Sequence, residues 1–296
     1  MAEIRLAAAA DYPALAAFQH AVNEAPEARC LHTHGPDGPG PLLADIEAAA
    51  ERGQFLAVVE SDGLSLTGWI GCEFDAAKGR AWLWGPALQG DAGWTERMGA
   101  LLDGLLAALP REVVRLSAFP DQRNIRTAAA LGARGAQAGK PVHIYTAARP
   151  AVLPAAPAAV RALQPGDRPA LAALHAASFP NTYLSAEEMF AVDGVSKRLF
   201  VAESEGPAGY LLASVQADGS GYVDFVAVDE RRRRRGLAGA LLTAALAWLF
   251  GERDVPEVSL TVNDDRSGAR ALYGRAGFDL ILTGQPLDLT RGATAA

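Results

Sequence analysis

The sequence predicts an α/β protein of the α+β kind, built as two tandem copies of one domain, each a mixed, mostly antiparallel sheet with helices on both faces. Three observations predict it. Residues 4–18, IRLAAAADYPALAAF, return as residues 160–174, VRALQPGDRPALAAL, so that Arg5, Asp11, Pro13, Ala14, Leu15, Ala16 and Ala17 recur 156 positions later. Residues 81–109 match 221–249 without a gap at an offset of 140, and Gly99-Ala100-Leu101-Leu102 stands against Gly239-Ala240-Leu241-Leu242. Self-similarity of this kind marks a duplicated folding unit. In each copy the patterns run strand, helix, helix, strand, strand, strand, helix, strand, helix, strand, strand, which implies a partly antiparallel sheet with one strand-helix-strand crossover.

At 296 residues the chain has room for two domains of roughly 150 residues. Each copy opens with a strand-like triplet, then Asp-x-Pro and an apolar-periodic helix; Asp11 and Asp167 are placed as N-caps with proline just inside the start. The β-branched runs 55–63 (FLAVVESDG) and 200–206 (FVAESEG) read as strands ending in turns. An Ala/Pro-rich stretch, 148–158, has few groups to bury and reads as a linker, which divides the chain into 1–147 and 159–296. In the second copy Ser185 and Glu188 form a capping box that starts its second helix and leaves 179–183 as an irregular loop. Residues 223–248 read as a strand, an arginine-loaded loop and a helix beginning near Gly236. Residues 258–278 read as a strand, a turn at Asn263-Asp264-Asp265, a helix capped near Ser267 and a stop at Gly277.

Composition excludes several function classes. Half the residues are apolar and a fifth charged, as in ordinary globular proteins. The run of arginines 231–235 could be a solvated face or a nucleic-acid patch, but the net charge is −7 and no aromatics interleave the run, so no nucleic-acid partner is expected. Cys30 and Cys72 lie far apart and match no metal spacing, which fits a reducing compartment. Cys30, His32 and His34 cluster among glycines and prolines, yet their spacing suits no common tetrahedral site, and no metal is expected. Trp69, Trp82, Trp84 and Trp94 would line a vestigial cleft or bury a surface between the copies. There is no uncharged apolar run of about 18 residues and no cleavable leader, so a cytoplasmic protein without a membrane partner is expected, a monomer or homodimer.

The functional signal lies in 223–248. A strand feeding a glycine-containing loop that opens a helix presents unpaired N–H groups and the positive end of the helix to one spot, which suits a phosphate anion. Gly236 has no Cβ to block its amide, and Ala238 keeps the next turn narrow. Arg233, Arg234, Arg235, Gly236, Leu237 and Ala238 spell R-x-x-G-x-A after Val226-Ala227-Val228-Asp229. This resembles the acyl-CoA-binding motif of the GNAT superfamily of N-acetyltransferases, with Glu230 where that family often has proline and Arg234 where it often has glycine. Ala269, Leu272, Tyr273, Gly277 and Phe278 resemble its second signature, with Arg266 in place of the usual asparagine and Asn263 nearby as a substitute.

The resemblance implies an acetyl-CoA-dependent N-acetyltransferase, using no metal, that acetylates a primary amine of a small molecule or peptide by direct attack in a ternary complex. It implies that Tyr273 is the general acid near the coenzyme sulfur, that a backbone amide around Val228 meets the oxyanion, and that the pantetheine arm lies where this strand leaves its parallel neighbour. Strand alternation puts Asp224 on one face with Tyr222, Val226 and Val228, which makes it the candidate base; binding a substrate ammonium or capping a turn are its other readings. Phe179, Asn181, Tyr183 and Tyr222 are the candidate acceptor contacts. At offset 140, Arg233 becomes Gly93, Gly236 becomes Glu96 and Ala238 becomes Met98, so the first copy is expected not to hold the coenzyme in the usual way. A non-catalytic acyl-CoA-binding or sensing protein is the competing function.

Overall fold

A computed structural model describes residues 3–35, 38–155, 157–180, 182, 184–216 and 218–292. The element order matches the one read from the sequence. It runs β1 (Glu3–Leu6), α1 (Tyr12–Asn23), α2 (Gly40–Glu51), β2 (Phe55–Ser61), β3 (Leu66–Asp75), β4 (Arg80–Leu88), α3 (Trp94–Ala108), β5 (Arg115–Ala118), α4 (Ile125–Gly132), β6 (Gln137–Ala138) and β7 (Val142–Ala148). The series then repeats as β8 (Val160–Ala162), α5 (Arg168–Ser178), α6 (Ala186–Phe190), β9 (Lys197–Glu203), β10 (Pro207–Val215), β11 (Gly221–Val228), α7 (Leu237–Leu246), β12 (Glu257–Asn263), α8 (Ser267–Arg275), β13 (Asp279–Gly284) and β14 (Leu287–Thr290).

The strands form two seven-stranded sheets, ordered β1-β2-β3-β4-β5-β14-β6 and β13-β7-β12-β11-β10-β9-β8. Each contains a parallel pair, β4 with β5 and β11 with β12, next to antiparallel ones. The compact units are accordingly Met1–Val142 with Thr283–Ala296, and His143–Leu282. These bounds differ from 1–147, 148–158 and 159–296. β7 closes the first sequence copy but pairs beside β12, and β14 closes the second copy but pairs beside β5. A strand flank in mid-sheet has to be paired; the repeat shows that a partner exists but not which copy supplies it.

Both faces of each sheet are covered. In the first unit Leu15, Ile46, Trp69 and Trp84 form the core under α1 and α2, and Met98, Leu101, Leu105 and Trp94 form the one under α3 and α4. Three of the tryptophans are therefore core residues of one unit, and Trp82 is half-buried with Arg80 over its ring. In the second unit Leu171, Met189, Tyr210 and Phe225 pack under α5 and α6, and Leu241, Ala245, Trp248, Leu260 and Tyr273 under α7 and α8. Among the described residues no helix is long and apolar enough to cross a membrane.

The duplicated arginine and aspartate have one shared role, which is not to cap the helix. Asp11 accepts the Ala8 amide at 2.7 Å and both terminal nitrogens of Arg5 at 2.7 and 2.8 Å. Asp167 accepts the Gln164 amide at 2.8 Å and Arg161 at 2.7 and 3.0 Å. In each copy the carboxylate closes the 3-10 turn ahead of the helix and ties it to the first strand; Arg161 also bonds Glu203. Ser185 and Glu188 do form the reciprocal cap that starts α6, whereas α8 begins at Ser267 with no side-chain cap.

Candidate active site

β11 and β12 pair only at Gly221↔Val258, Tyr222↔Ser259 and Val223↔Leu260. Beyond Val223 the two strands separate, while β11 stays paired to β10 as far as Gly209↔Val228. The carbonyls and amides of β11 that would have met β12 are thereby left to a cleft of about 1260 Å³. The register against β10 also shifts between Leu212 and Ala213, so Asp224 is an extra residue opposite neither. The bulge corrects the alternation argument. Val223, Val226 and Val228 pack toward α7 and α8, while Phe225 and Ala227 pack toward α5 and α6. Asp224 shares its side with Tyr222 but not with Val226 or Val228.

The loop after β11 is held largely by its own arginines. Arg232 donates to the carbonyls of Ser204, Glu205 (3.1 Å) and Gly206 (3.3 Å), clasping the β9–β10 turn. Arg233 donates to the Val228 carbonyl at 3.3 Å and to Glu230 at 2.9 Å. Gly236 caps α7 with φ +77°, a left-handed conformation that glycine adopts freely, and open space stands where a Cβ would be. Arg234 has φ +66°, which costs a non-glycine residue about 1–2 kcal/mol; the position that often carries glycine in the resembled motif is thus left-handed here. Arg232, Arg233, Arg234, Gly236, Leu237 and Ala238 line the cleft, and Arg235, counted above among the coenzyme contacts, is exposed and does not.

Across the cleft stand Asn263, Arg266, Ala269 and Tyr273. Tyr273 is 5% exposed, with its ring 6.2 Å from Tyr145 and 6.1 Å from Phe278. Burial, with a smaller push from Tyr222, raises its pKa to about 12, so the phenol keeps its proton at neutral pH. Tyr222 hydrogen-bonds Thr261 at 3.0 Å across the gap between the strands, and burial raises its pKa too. Asp224 accepts a hydrogen bond from Ser214 at 2.7 Å, and Ser214 accepts one from Gln216 at 2.7 Å. His143 on β7 reaches Asp264 at 2.9 Å, and Arg270 reaches the same carboxylate at 3.3 Å, fixing the turn that presents Asn263 and Arg266.

Phe179 and Tyr222 line the cleft together with Pro180 and Thr182; Asn181 and Tyr183 lie outside the described residues. Behind this wall His175 is buried, 2.5 Å from the Tyr210 hydroxyl and 3.0 Å from the Leu184 carbonyl, with Phe225 edge-on at 5.0 Å. Sequence reasoning missed Ser214, Thr261, Arg232 as a clasp, and Arg275 at the cleft. Strand pairing could have found Ser214, which sits opposite Tyr222; Thr261 lies past the last pair of β11 with β12 and meets Tyr222 through its side chain. Among the described residues no group of His, Cys, Asp and Glu could hold a metal.

In the first unit the corresponding gap is filled by the chain. β4 and β5 pair only from Arg80↔Arg115 to Trp82↔Ser117, and residues 30–33 enter beyond that point. His32 Nδ1–H donates to the Leu83 carbonyl at 2.9 Å, Cys30 Sγ lies 3.7 Å from the same oxygen, and the Leu31 amide donates to Phe119 at 2.8 Å. Burial lowers the His32 pKa and raises that of Cys30, so both are neutral. Cys30 and His32 of the Cys-x-His-x-His cluster thus act as a plug.

Residues 168–278 match the acetyltransferase (GNAT) family. A mycothiol acetyltransferase from Clavibacter michiganensis is 37% identical over 92 residues, 28% of this chain and 29% of that protein. The chain therefore spans under a third of the curated relative it matches. Over its whole length the fold is similar to a GCN5-related N-acetyltransferase from Sphaerobacter thermophilus, at 21% identity, covering 99% of this chain and 98% of that one with a TM-score of 0.70. It is likewise similar to a tandem GNAT protein from the clavulanic acid biosynthesis pathway, at 15% identity and complete coverage of both chains with a TM-score of 0.60.

Proposed function

We propose, from the match of residues 168–278 to the acetyltransferase (GNAT) family, that the chain is an acetyl-CoA-dependent N-acetyltransferase acting on a primary amine of a small molecule or peptide by direct attack in a ternary complex. The observation that carries this reading is the separation of β11 from β12 after Val223, which opens onto the start of α7 with Tyr273 opposite. The residues fit the coenzyme. Backbone groups of Val226, Ala227 and Val228 are free of β12 to receive a pantetheine arm, and the open face of Gly236 with the first amides of α7 suits a diphosphate. Acetyl-CoA supplies the activated acyl group.

Asp224, fixed by Ser214, accepts the proton of the attacking amine directly or through a water. The backbone amide around Val228 faces the carbonyl oxygen as its charge develops. As the C–N bond forms and the C–S bond breaks, Tyr273 gives its phenolic proton to the departing sulfur; its raised pKa keeps that proton available across the neutral range. Incubation with acetyl-CoA and a panel of primary amines, followed by free-thiol release, tests the proposal. Binding without thiol release on any amine would favour an acyl-CoA-binding or sensing protein. Calorimetry should find one acetyl-CoA per chain, because residues 30–33 fill the first unit's gap.

A further inference from the structure

We propose that the acceptor is a primary amine carried on an uncharged apolar body, an aryl or alkyl group with no carboxylate beside the nitrogen, and that Phe179 backed by Phe225 is the surface that reads it. The inference rests on the acetyl-CoA reading above and names the class of amine which that reading leaves open. With the diphosphate at the start of α7, the face of β11 turned to α5 and α6 is what remains for the acceptor. Tyr210 and Leu212 of β10 pack on that face, Ser214 follows them at period two, and Ser214 donates to Asp224 at 2.7 Å, so the candidate base stands there too. Phe179, at the end of α5, is half-buried and lines the cleft with Phe225, their rings edge to face at 4.9 Å. His175, one turn earlier on α5, touches both rings, at 5.5 Å and 5.0 Å. The Leu184 carbonyl can only accept, so His175 Nε2 donates to it at 3.0 Å, while Nδ1 meets the Tyr210 hydroxyl. The aromatic wall thus stands on a buried, hydrogen-bonded anchor.

The same two helix positions serve a different purpose in the first unit. α1 and α5 start in step behind Asp11 and Asp167, so Gln19 and Asn23 stand where His175 and Phe179 stand. Gln19 donates to Asn23 at 2.9 Å; Asn23 accepts the Cys30 amide at 2.9 Å and donates to the Thr33 carbonyl at 2.9 Å. That polar pair pins residues 30–33 in the first unit's gap. In the second unit an aromatic ring replaces the pin and borders an open cleft. A phenyl ring holds no backbone by hydrogen bonds, but it gains when an apolar group covers it. The charges of the cleft divide accordingly. Its lining arginines, Arg232, Arg233, Arg234, Arg266 and Arg275, belong to the loop before α7 or to α8 and the residue ahead of it. Toward α5 and α6 the charged lining group, among the described residues, is Asp224. It attracts an ammonium and repels a carboxylate attached beside one, which disfavours free α-amino acids.

Free-thiol release by the full chain with acetyl-CoA and three amines tests this: 2-phenylethylamine, ethylamine, which lacks the ring, and L-phenylalanine, which adds a carboxylate. The kcat/KM for 2-phenylethylamine should exceed that for each of the others by about tenfold or more. Phe179→Ala should cut the advantage over ethylamine to about threefold or less, chiefly through KM, while discrimination against L-phenylalanine persists and calorimetry finds the acetyl-CoA affinity held. The ratios on the native chain decide the matter even if that variant fails to fold. Equal kcat/KM for 2-phenylethylamine and ethylamine, L-phenylalanine as good as 2-phenylethylamine, or release with sugar or polycationic amines but not with 2-phenylethylamine would overturn the acceptor class and leave the acetyltransferase reading standing. Release with no amine at all would overturn that reading and the acceptor class with it.

Discussion

The two seven-stranded sheets share one strand order, and the contrast between them lies in what fills the gap beside the parallel pairs β4–β5 and β11–β12. In the first unit His32 and Cys30 take the Leu83 carbonyl and Leu31 takes that of Phe119. In the second the equivalent groups of β11 face a cleft. The helix starts differ in step. α3 begins at Trp94 behind a left-handed Gly93, so the residues aligned with the loop before α7 are wound into an extra first turn that holds Glu96, while α7 begins at Leu237 behind Gly236. Leu131, buried and accepting the Ala136 amide, stands where Tyr273, buried and accepting the Phe278 amide, stands in α8. A parallel strand pair that splays has to satisfy the backbone groups it exposes; one copy does so with its own chain, and the other leaves them to water or a ligand.

The largest effect expected from breaking this comparison comes from cutting the chain where the sequence, rather than the sheet, divides. A fragment 159–296 lacks β7 and so leaves the β12 flank bare beside the candidate site, whereas 143–282 retains all seven strands of its sheet. The first should be insoluble or partly unfolded by circular dichroism, and the second folded and able to bind acetyl-CoA. Equal behaviour of the two fragments would show that β7 is dispensable.

Next in size is the chemistry that only the second unit carries. Tyr273→Phe should lower kcat by roughly 10² to 10⁴ with little change in coenzyme affinity. Since the folded-state pKa of Tyr273 is raised to about 12, it contributes stability that is present below the unfolded value and lost as pH rises through about 12. Any alkaline fall in native activity below about pH 10 therefore belongs to another group. Asp224→Asn should cost about 10² in kcat/KM and abolish the acidic limb of its pH profile. An unchanged acidic limb would exclude Asp224 as the base.

How much of this the sequence disclosed depends on the range of the interaction involved. The element order, the Ser185–Glu188 cap and the Gly236 helix start were legible because each is set by residues within a few positions of one another. The exchange of β7 and β14 was not, because pairing partners in a sheet are chosen by topology and either terminal strand satisfies the same flank. The face of Val226 and Val228 was misassigned for a related reason. A bulge at Asp224 breaks period two, and no residue around it announces the extra position. Arg235 falls at an unspecified position of the motif and is exposed outside the lining of the cleft, since a one-dimensional pattern records spacing without direction.

The smallest effect concerns the one device both units share, and it asks whether they are equivalent as scaffolds. Asp167 and Asp11 each close a 3-10 turn onto an arginine, but their side chains are 6% and 22% exposed. Asp167→Ala should cost about 1–2 kcal/mol and Asp11→Ala about 0.5–1 kcal/mol in urea unfolding at neutral pH, because the more buried carboxylate leaves the costlier set of unmet donors. In both, the hydrogen bond from the paired arginine holds the carboxylate below its ordinary pKa. That stability is present above the unfolded-state pKa and lost as pH falls through the folded one, so acidification should shrink both penalties. The Asp167 penalty should persist to lower pH only if its arginine pairing is the tighter of the two, which Arg161→Gln and Arg5→Gln would check by removing the partner instead of the carboxylate.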